Sequence, residues 1–317
     1  MAEIVIIDGD TVAFRSAAMN ERKTIKATHR ATGRVKEFKH RTELKEAVGD
    51  KWDISEFDIE ELQEADEIAY ALGSAKATIK SICEACETTN YKVVLSGDTN
   101  FRLQLPLPTQ YKSNRANMLR PLQLKEVRQY LVKFHAAEFS VGCEADDVLA
   151  SWAYKGWKEG RLIIQASVDK DAYSNMGWLY NFVKPEGPLF IDGLGELHMD
   201  KWGVKGTGRK WYYAQWLLGD GVDGYKPTDL CKARFGDKSV LKLLGDLKTD
   251  RDCIAAVAET YRKWYPDVVE YTAWDGTTQR KDYIEIMQMY SDCCHMRRWD
   301  NDRVIVKDVL TKLGISY

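Results

Sequence analysis

The hydrophobic positions of the first 183 residues follow the pattern of strands alternating with helices. Strands are predicted where short apolar runs occur, because a strand buried on both faces of a parallel sheet shows no polar alternation. These runs are residues 3–7, 92–95, 161–166 and 178–183, with a shorter strand at 138–141. The pattern predicts an α/β fold on a doubly wound, mostly parallel sheet.

Amphipathic segments with helical spacing lie between and after these strands. In residues 142–153, Val148, Leu149, Trp152 and Ala153 form one apolar stripe. The other predicted helices are residues 11–18, 58–89, 121–134, 210–218, 237–244, 250–264 and 282–298. Their distribution predicts an α/β core of residues 1–208 and a helical C-terminal region of residues 209–317, packed as one compact unit. The aromatic residues Trp211, Tyr212, Tyr213 and Trp216 recur at helical spacing and are expected in the core.

Two segments interrupt the alternation. Residues 23–41 have β-forming residues on both sides of Ala31-Thr32-Gly33-Arg34, which predicts a basic β-hairpin within the basic stretch 22–45. Residues 100–120 form a polar, basic connection without a predicted element. Connections of this length are usually functional or mobile.

Carboxylates follow several predicted strands and turns directly. They are Asp8 and Asp10, Asp98, Asp169 and Asp171, and Asp220 and Asp223, with Glu144, Asp146 and Asp147 in the first turn of one helix. Acids near a helix N-terminus can simply complement the helix dipole, so the last three alone decide nothing. The repetition at strand ends favours a site, because open α/β sheets place their sites at that edge. Gathered carboxylates repel unless a cation lies among them, and such hard ligands suit Mg²⁺ or Mn²⁺ rather than zinc.

Charge and composition refine this prediction. The 317 residues are 44% hydrophobic, so we expect the chain to bury a full hydrophobic core. The net charge of −2 gives no overall positive potential that would attract nucleic acid. Basic residues concentrate in 22–45, 201–210 and 226–242, and acids in 53–67. Separate basic and acidic surfaces would suit a metal site beside a phosphate-binding face, although any one run is also typical of an ordinary solvated surface.

Cysteine usage and the N-terminus indicate the compartment. The seven cysteines follow no secreted disulfide pattern, and no charged leader with a long apolar core is present. No stretch approaches transmembrane length. We therefore expect a cytosolic, reduced protein without a membrane partner, in which Cys83, Cys86, Cys293 and Cys294 are core or surface thiols.

In this order, the motifs resemble the metal-dependent 5′ nucleases of the flap-endonuclease family, most closely bacteriophage 5′-to-3′ exonucleases and primer-removing nucleases. The resemblance runs in pieces from Ile4 to about Leu244, and the Glu-Ala-Asp-Asp helix combined with the other motifs is highly specific. It implies hydrolysis of phosphodiester bonds at the 5′ ends of duplex DNA, flaps or RNA primers during phage DNA replication. The implied cofactors are two Mg²⁺ or Mn²⁺ ions, with a monovalent ion at a helix-three-turn-helix-like loop. The implied partner is DNA with a 5′ end, nick or flap, or an RNA–DNA hybrid, bound by a monomer in the cytoplasm of an infected bacterium.

The resemblance also implies roles for individual residues. Ligands or supports of the more tightly held metal would be Asp8, Asp98, Glu144, Asp146 and Asp147; Asp169 and Asp171 would lie between the metals, and Asp220 and Asp223 would hold the second. Nucleic acid would be contacted by Lys112 and Arg115 at the scissile phosphate, by Tyr111 stacking on a base, by Arg15 and Arg102, and by Gly236, Lys238 and Ser239 in the duplex-gripping element. Asp10 has no counterpart.

The sequence departs from the family pattern in two places. The Gly-x-Gly lead-in to the duplex-gripping element is absent, and residues 225–235 are inserted between Asp223 and Gly236. The basic stretch 22–45 and the segment after it exceed the minimal family pattern, and we expect them to add duplex contacts.

Other interpretations compete with the nuclease. Residues 4–12 also look like the nucleophile motif of haloacid-dehalogenase-type phosphatases, with Asp8 as nucleophile and Asp10 as acid. That interpretation leaves the acidic helix and residues 111–115 unexplained. A non-catalytic DNA-binding accessory protein would be expected to lack one or more of the acids, and a PIN-type ribonuclease domain would be much shorter.

Overall fold

The computed structural model describes residues 1–49, 53–116, 118–184 and 186–317. The strands are β1 (Ile4–Asp8), β2 (Glu21–His29), β3 (Val35–Phe38), β4 (Phe57–Ala65), β5 (Tyr91–Leu95), β6 (Glu138–Phe139), β7 (Ile163–Ala166), β8 (Gly177–Tyr180), β9 (Leu189–Ile191), β10 (Leu197–Asp200), β11 (Gly203–Gly206), β12 (Val269–Thr272) and β13 (Thr278–Lys281). The α-helices are α1 (Gly9–Met19), α2 (Arg41–Val48), α3 (Ile68–Ala85), α4 (Leu124–His135), α5 (Ala145–Glu159), α6 (Gly208–Leu218), α7 (Asp237–Leu244), α8 (Asp250–Trp264), α9 (Tyr283–Cys294) and α10 (Val306–Lys312).

These elements form two compact units. The first contains residues 1–9, 81–118 and 137–317, and the second contains residues 10–80 and 119–136. The predicted boundary at residue 208 does not separate the two units, because the helices after it lie in the same unit as the parallel sheet.

The first unit is built on a six-stranded sheet in the order β6-β5-β1-β7-β8-β9. All neighbouring strands are parallel except the edge pair β8 and β9. Val5, Ile6 and Ile7 of the central strand are fully buried, which explains the uninterrupted apolar run. The predicted doubly wound, mostly parallel α/β architecture is therefore confirmed.

The strand register places the carboxyl ends of β1, β5 and β7 next to one another. Asp8 at the end of β1 pairs with Val94 of β5, and Ile7 pairs with Ala166 of β7. The chain leaves β5 through Gly97, where an added Cβ would lie 2.3 Å from the Ser140 carbonyl oxygen, so only glycine allows this close approach. The segments after β5 and β7 thus leave the sheet at the same edge as Asp8.

The helices after residue 208 enclose an aromatic core of their own. Trp216 of α6 donates to the Met287 carbonyl (2.8 Å), and the Tyr261 hydroxyl donates to the Trp216 carbonyl (2.7 Å), which joins α6, α8 and α9. Trp211, Tyr213 and Trp216 are buried, as predicted. The pattern did not predict the antiparallel pairs β10–β11 and β12–β13 within this unit.

The second unit contains a three-stranded antiparallel sheet in the order β3-β2-β4. The hairpin of β2 and β3 was predicted, and Gly33 adopts a positive φ of 66° in its turn. The prediction of one helix over residues 58–89 is wrong at its start, because residues Phe57–Ala65 form β4 and the helix α3 begins only at Ile68.

Charge pairing explains why a glutamate-rich segment forms a strand. Every residue of β4 pairs with β2, and acids of β4 meet bases of the hairpin segment across the sheet. The cross-strand ion pairs are Arg22–Glu64, Lys26–Glu60 and Arg30–Asp58, with Arg41–Glu61 from the start of α2. The expectation that basic residues 22–45 and acidic residues 53–67 form separate surfaces is therefore wrong.

None of the helices in the described residues combines the length and the apolarity needed to cross a bilayer. All seven cysteines are free thiols.

Candidate metal centre

Helix α5 carries its acids to the carboxyl edge of the parallel sheet. Leu149 and Ala145 pack in a buried cluster with Ile6 and Ile163, so the apolar stripe fixes the helix against β1 and β7. The Ala145 amide donates to Ser96 Oγ (3.0 Å), which ties the start of the helix to the loop after β5. Glu144 at the N-cap and Asp146 in the first turn are thereby placed beside the strand ends.

Asp8, Glu144, Asp146 and Asp169 form the first group of carboxylates. The Ser167 hydroxyl donates to Asp8 Oδ2 (3.1 Å) and accepts from the Asp169 amide (3.2 Å), so one serine joins two strand ends. Burial, together with the charges of Asp8, Asp169 and Glu144, raises the pKa of Asp146 well above its usual value. The group therefore carries more negative charge than its surroundings compensate.

Asp171, Asp220 and Asp223 form the second group, the carboxylate triad. One oxygen from each lies within 4.8 Å of the others, and all three residues are buried. Burial and Asp169 raise the pKa of Asp171 to about 8. Burial likewise raises the pKa of Asp223, although Lys112 and Tyr111 oppose the shift.

A bridged turn holds two members of this triad. The Asp220 amide donates to the Tyr225 carbonyl (2.9 Å) and the Tyr225 amide donates to the Asp220 carbonyl (3.1 Å). Asp220 Oδ1 also accepts from the Val222 amide (2.7 Å). Gly219 before the turn has φ 72°, and an added Cβ there would lie 2.5 Å from the Tyr225 carbonyl oxygen. The sequence left open the path of residues 225–235. This segment begins at Tyr225, which closes the turn that places Asp223.

Two cations from residues 100–120 face both groups. Lys112 donates to Glu144 Oε1, and its Nζ lies 3.7 Å from Asp223 Oδ1. Arg115 donates to Asp223 Oδ1 (2.5 Å) and to the Val222 carbonyl (3.1 Å). Burial alone would lower the pKa of Lys112, but Glu144 and Asp223 raise it above its usual value. The structure thus brings the two residues predicted to hold the scissile phosphate against Glu144 and Asp223, two of the predicted metal ligands.

The donor set fits hard divalent cations. Both groups offer carboxylate oxygens, the ligands preferred by Mg²⁺ and Mn²⁺. Burial, and after it the neighbouring carboxylates, raise the pKa values of Asp146, Asp171 and Asp223, which is the environment that a bound cation would relieve. Gln215 of α6 donates to Asp171 Oδ1, while its own buried Oε1 has no hydrogen-bond partner in the described part of the chain. Bound cations and their water would supply both the missing charge and the missing donor.

Asp147 supports the centre rather than facing it. Both of its oxygens accept from the Arg102 guanidinium, and they also accept from the Glu144 and Arg297 amides (3.0 Å each). Despite burial, Arg102 lowers the pKa of Asp147 below its usual value. Arg102 itself is completely buried. The prediction that Arg102 contacts nucleic acid is therefore wrong, because no part of its side chain reaches the surface.

Tyr111 was predicted to stack on a base, and this prediction is also wrong. The side chain is buried, and its ring stacks on Tyr225 with centroids 6.1 Å apart. Its hydroxyl donates to Asp223 Oδ2 and lies 3.2 Å from Glu144 Oε2. The Tyr111 hydroxyl therefore links Glu144 of the first carboxylate group to Asp223 of the second.

The remaining predicted residues lie at the surface. Asp98 after β5 is exposed, as is Arg15 on α1. Gly236, Lys238 and Ser239 are exposed at the start of α7. Their predicted roles in metal or nucleic-acid binding stay predictions. Asp10, which the resemblance left without a role, is ion-paired with Arg128.

Several residues of the site were missed, although the sequence contains signals for them. Ser96 and Ser167 each follow a strand directly and precede an aspartate by two residues, a repeated Ser-x-Asp arrangement. Lys170 lies between Asp169 and Asp171 and forms an ion pair with Asp220 (3.0 Å). Gln215 follows Trp211 by one helical turn, so both face the same loop.

No protein-family model and no curated protein matches the chain. Among solved structures, the chain is similar to the D15 protein of bacteriophage T5 co-crystallised with metal ions, with 14% identity, 98% of this chain and 96% of that chain covered, and a TM-score of 0.52. It is also similar to a variant of the bacteriophage T5 D15 flap endonuclease in a pseudo-enzyme–product complex with DNA and metal ions, with 14% identity, 98% and 99% covered, and a TM-score of 0.51. The chain therefore has the fold of the bacteriophage T5 flap endonuclease.

Proposed function

We propose that this protein is a divalent-metal-dependent 5′ nuclease that hydrolyses phosphodiester bonds at the 5′ ends of duplex DNA, flaps or RNA primers. The observation that carries the proposal is the meeting of two carboxylate groups with Lys112 and Arg115 at one sheet edge. The fold supports it, since the T5 flap endonuclease with the same fold was crystallised with DNA and metal ions.

Two divalent cations, Mg²⁺ or Mn²⁺, would be held at the two carboxylate groups. Asp8, Glu144, Asp146 and Asp169 would serve the first cation directly or through water, and the carboxylate triad would serve the second. When bound, such cations lower the pKa of coordinated water and neutralise charge on the phosphodiester. Having more acids than direct ligands suits Mg²⁺, which keeps several of its waters.

Lys112 and Arg115 supply positive charge for the phosphate. Glu144 engages Lys112, and Asp223 engages Arg115. With those carboxylates neutralised, the ammonium of Lys112 and the guanidinium of Arg115 would be available to an anionic phosphate. Their contribution is electrostatic stabilisation of charge that builds up in the transition state.

The contacts to nucleic acid are proposed at exposed residues. Lys238 and Ser239 at the start of α7 would hold duplex backbone, with Arg15 contacting the strand. We propose a monomer that acts on replicating DNA in the cytoplasm of a phage-infected bacterium. A monovalent ion at the loop before α7 and an RNA–DNA hybrid substrate belong to the same proposal.

The phosphatase alternative has less support. It requires Asp10 as the acid that serves Asp8, but the Asp10 carboxylate is engaged by Arg128. It also assigns no role to Lys112, Arg115 or the carboxylate triad. Hydrolysis of a small aryl phosphate would favour that alternative, because a 5′ nuclease should ignore this substrate.

The test is Mg²⁺-dependent digestion of 5′-labelled nicked duplex, flapped duplex and RNA–DNA hybrid. Wild-type protein should release short 5′ products, whereas Asp146→Asn and Lys112→Ala should bind the same DNA without cleaving it. Asp267→Asn is the matched control, since this exposed carboxylate lies outside both groups. Circular dichroism should show all four proteins folded. Binding without cleavage by the wild type would contradict the proposal and favour a DNA-binding accessory protein.

A further inference from the structure

Lys170 places an ammonium group against the carboxylate triad. Its Nζ lies 3.0 Å from Asp220 Oδ2, while the other oxygen of Asp220 accepts from the Val222 amide. The Lys170 side chain is 42% exposed and that of Asp220 only 6%. The cation therefore reaches a buried anion from solvent.

The backbone of Lys170 is fixed although its side chain is open to solvent. Its carbonyl accepts from Trp211 Nε1 (2.8 Å) and from the Tyr173 amide (3.2 Å). Trp211 is buried on α6, the same helix from which Gln215 donates to Asp171. The ammonium can consequently move between Asp220 and solvent without disturbing the loop that carries Asp169 and Asp171.

The three cations at the triad differ in how firmly they are held. Arg115 is held by Asp223 and also by the Val222 carbonyl, and Lys112 is shared between Glu144 and Asp223. For Lys170, the ion pair with Asp220 is the single ammonium contact among the hydrogen bonds and ion pairs of the described residues. Separating it costs one ion pair, partly repaid by hydration of the exposed ammonium.

We propose that Lys170 is a displaceable counter-cation of the second metal position. It neutralises Asp220 while the triad is metal-free, and an arriving divalent cation displaces it into solvent. The competition sets the affinity of the triad for the second cation. This inference rests on the proposed metal centre and adds a residue to which the resemblance gives no role.

Binding of Mn²⁺ without nucleic acid tests the inference, because it is measured independently of cleavage. Electron paramagnetic resonance counts the free ion during titration of wild type, Lys170→Met and Lys170→Arg. Lys170→Met should tighten the weaker class of sites about 3- to 5-fold, the effect of removing a competing ion pair of about 1 kcal/mol. Lys170→Arg, which keeps the charge, should remain close to wild type. The exposed Lys248→Met controls for a general change in net charge.

Two further comparisons locate the effect. In the Asp220→Asn background, Lys170→Met should change Mn²⁺ affinity less than it does in the wild-type background, since the carboxylate of its ion pair is gone while Asp169 and Asp171 remain. In chelator-treated protein, Lys170→Met should unfold at lower temperature than wild type, and saturating Mn²⁺ should remove that difference.

The possible failures are distinguishable. Unchanged or weaker Mn²⁺ binding by folded Lys170→Met, with wild type binding normally, would overturn this inference alone. Wild-type protein that binds no Mn²⁺ would overturn the metal centre, and this inference with it. Equal tightening by Lys170→Met and Lys248→Met would assign the effect to net charge and overturn the inference as well.

Discussion

Arg102 and Asp147 form a buried ion pair with two parallel hydrogen bonds of 2.7 and 3.0 Å. The guanidinium also donates to the carbonyls of Cys293 (2.9 Å) and His295 (2.7 Å). Because Asp147 follows Asp146 directly, the pair fixes the helical turn that presents the first carboxylate group. The positions of Glu144 and Asp146 thus depend on a completely buried arginine, whose Nη1 also lies 3.5 Å from Glu144 Oε2.

Removing one partner of this pair should be costly. Arg102→Met leaves a buried carboxylate unpaired, so the free energy of unfolding measured in urea should fall by about 3–5 kcal/mol. The exposed Arg280→Met should stay within about 0.5 kcal/mol of wild type. If both variants lose the same small amount, the Arg102 pair does not anchor α5.

The stability of metal-free protein should depend on pH in an unusual direction. The pKa of Asp171 is about 8 in the folded protein, above its ordinary 3.8, so the folded state binds more protons between these values. The free energy of unfolding should therefore fall as pH rises from about 4 to 8 in the presence of chelator. Asp171→Asn should flatten this dependence, whereas Asp267→Asn should preserve it.

Saturating Mg²⁺ or Mn²⁺ should reverse the trend, since cations bind deprotonated carboxylates. Urea unfolding at three pH values, with chelator and with metal, measures both effects. A chelated protein whose stability rises over this range would contradict the raised pKa of Asp171.

Tyr111→Phe tests whether the Tyr111 hydroxyl positions the two carboxylate groups. The variant keeps the ring but loses the hydroxyl that donates to Asp223 and contacts Glu144. Turnover under single-turnover conditions should fall about 10-fold, in line with a lost hydrogen bond of about 1.5 kcal/mol to a charged group, while DNA affinity stays unchanged. Unchanged turnover by folded Tyr111→Phe would show that the hydroxyl does not position Asp223 and Glu144.

The basic hairpin should contribute little to DNA affinity. Lys26 is paired with Glu60 across the sheet, so Lys26→Gln should leave the salt dependence of DNA binding unchanged. Lys238→Gln at the exposed start of α7 should reduce the slope of log affinity against log salt by about 1. Fluorescence anisotropy between 50 and 200 mM salt provides the comparison. Equal slope changes in Lys26→Gln and Lys238→Gln would indicate that the hairpin also contacts the duplex.

The sequence predicted the parallel sheet because its strands are buried on both faces and show uninterrupted apolar runs. It failed at β4, where glutamates favour a helix locally but the basic partner strand β2 stabilises the extended form. The paired residues of the two strands are 28 to 44 positions apart, and local periodicity contains no information about such a partner. The hairpin β10–β11 was also missed, because each strand has only four residues and β10 is mostly exposed, so neither strand contains an apolar run.

The carboxylates of the site were predictable because each follows a strand, a helix start or a turn. The roles of Arg102 and Tyr111 were not, because their chemistry suits both a surface contact and a buried network. Only burial separates the two possibilities, and burial depends on residues such as Cys293 and Tyr225 that are distant in sequence. Lys170 was overlooked because its neighbours, two aspartates, suggested a simple solvated position.

The hydrogen bonds of Arg102 reach 191 and 193 positions along the chain. Closing so long a loop is slow, and during synthesis the ribosome must first deliver residues 293–297. Until then, Asp147 lacks the Arg297 amide, and the Arg102 guanidinium lacks the two carbonyls that accept from it. A nascent chain should therefore remain without the assembled carboxylate site for most of its translation, which would delay the proposed activity until folding is nearly finished.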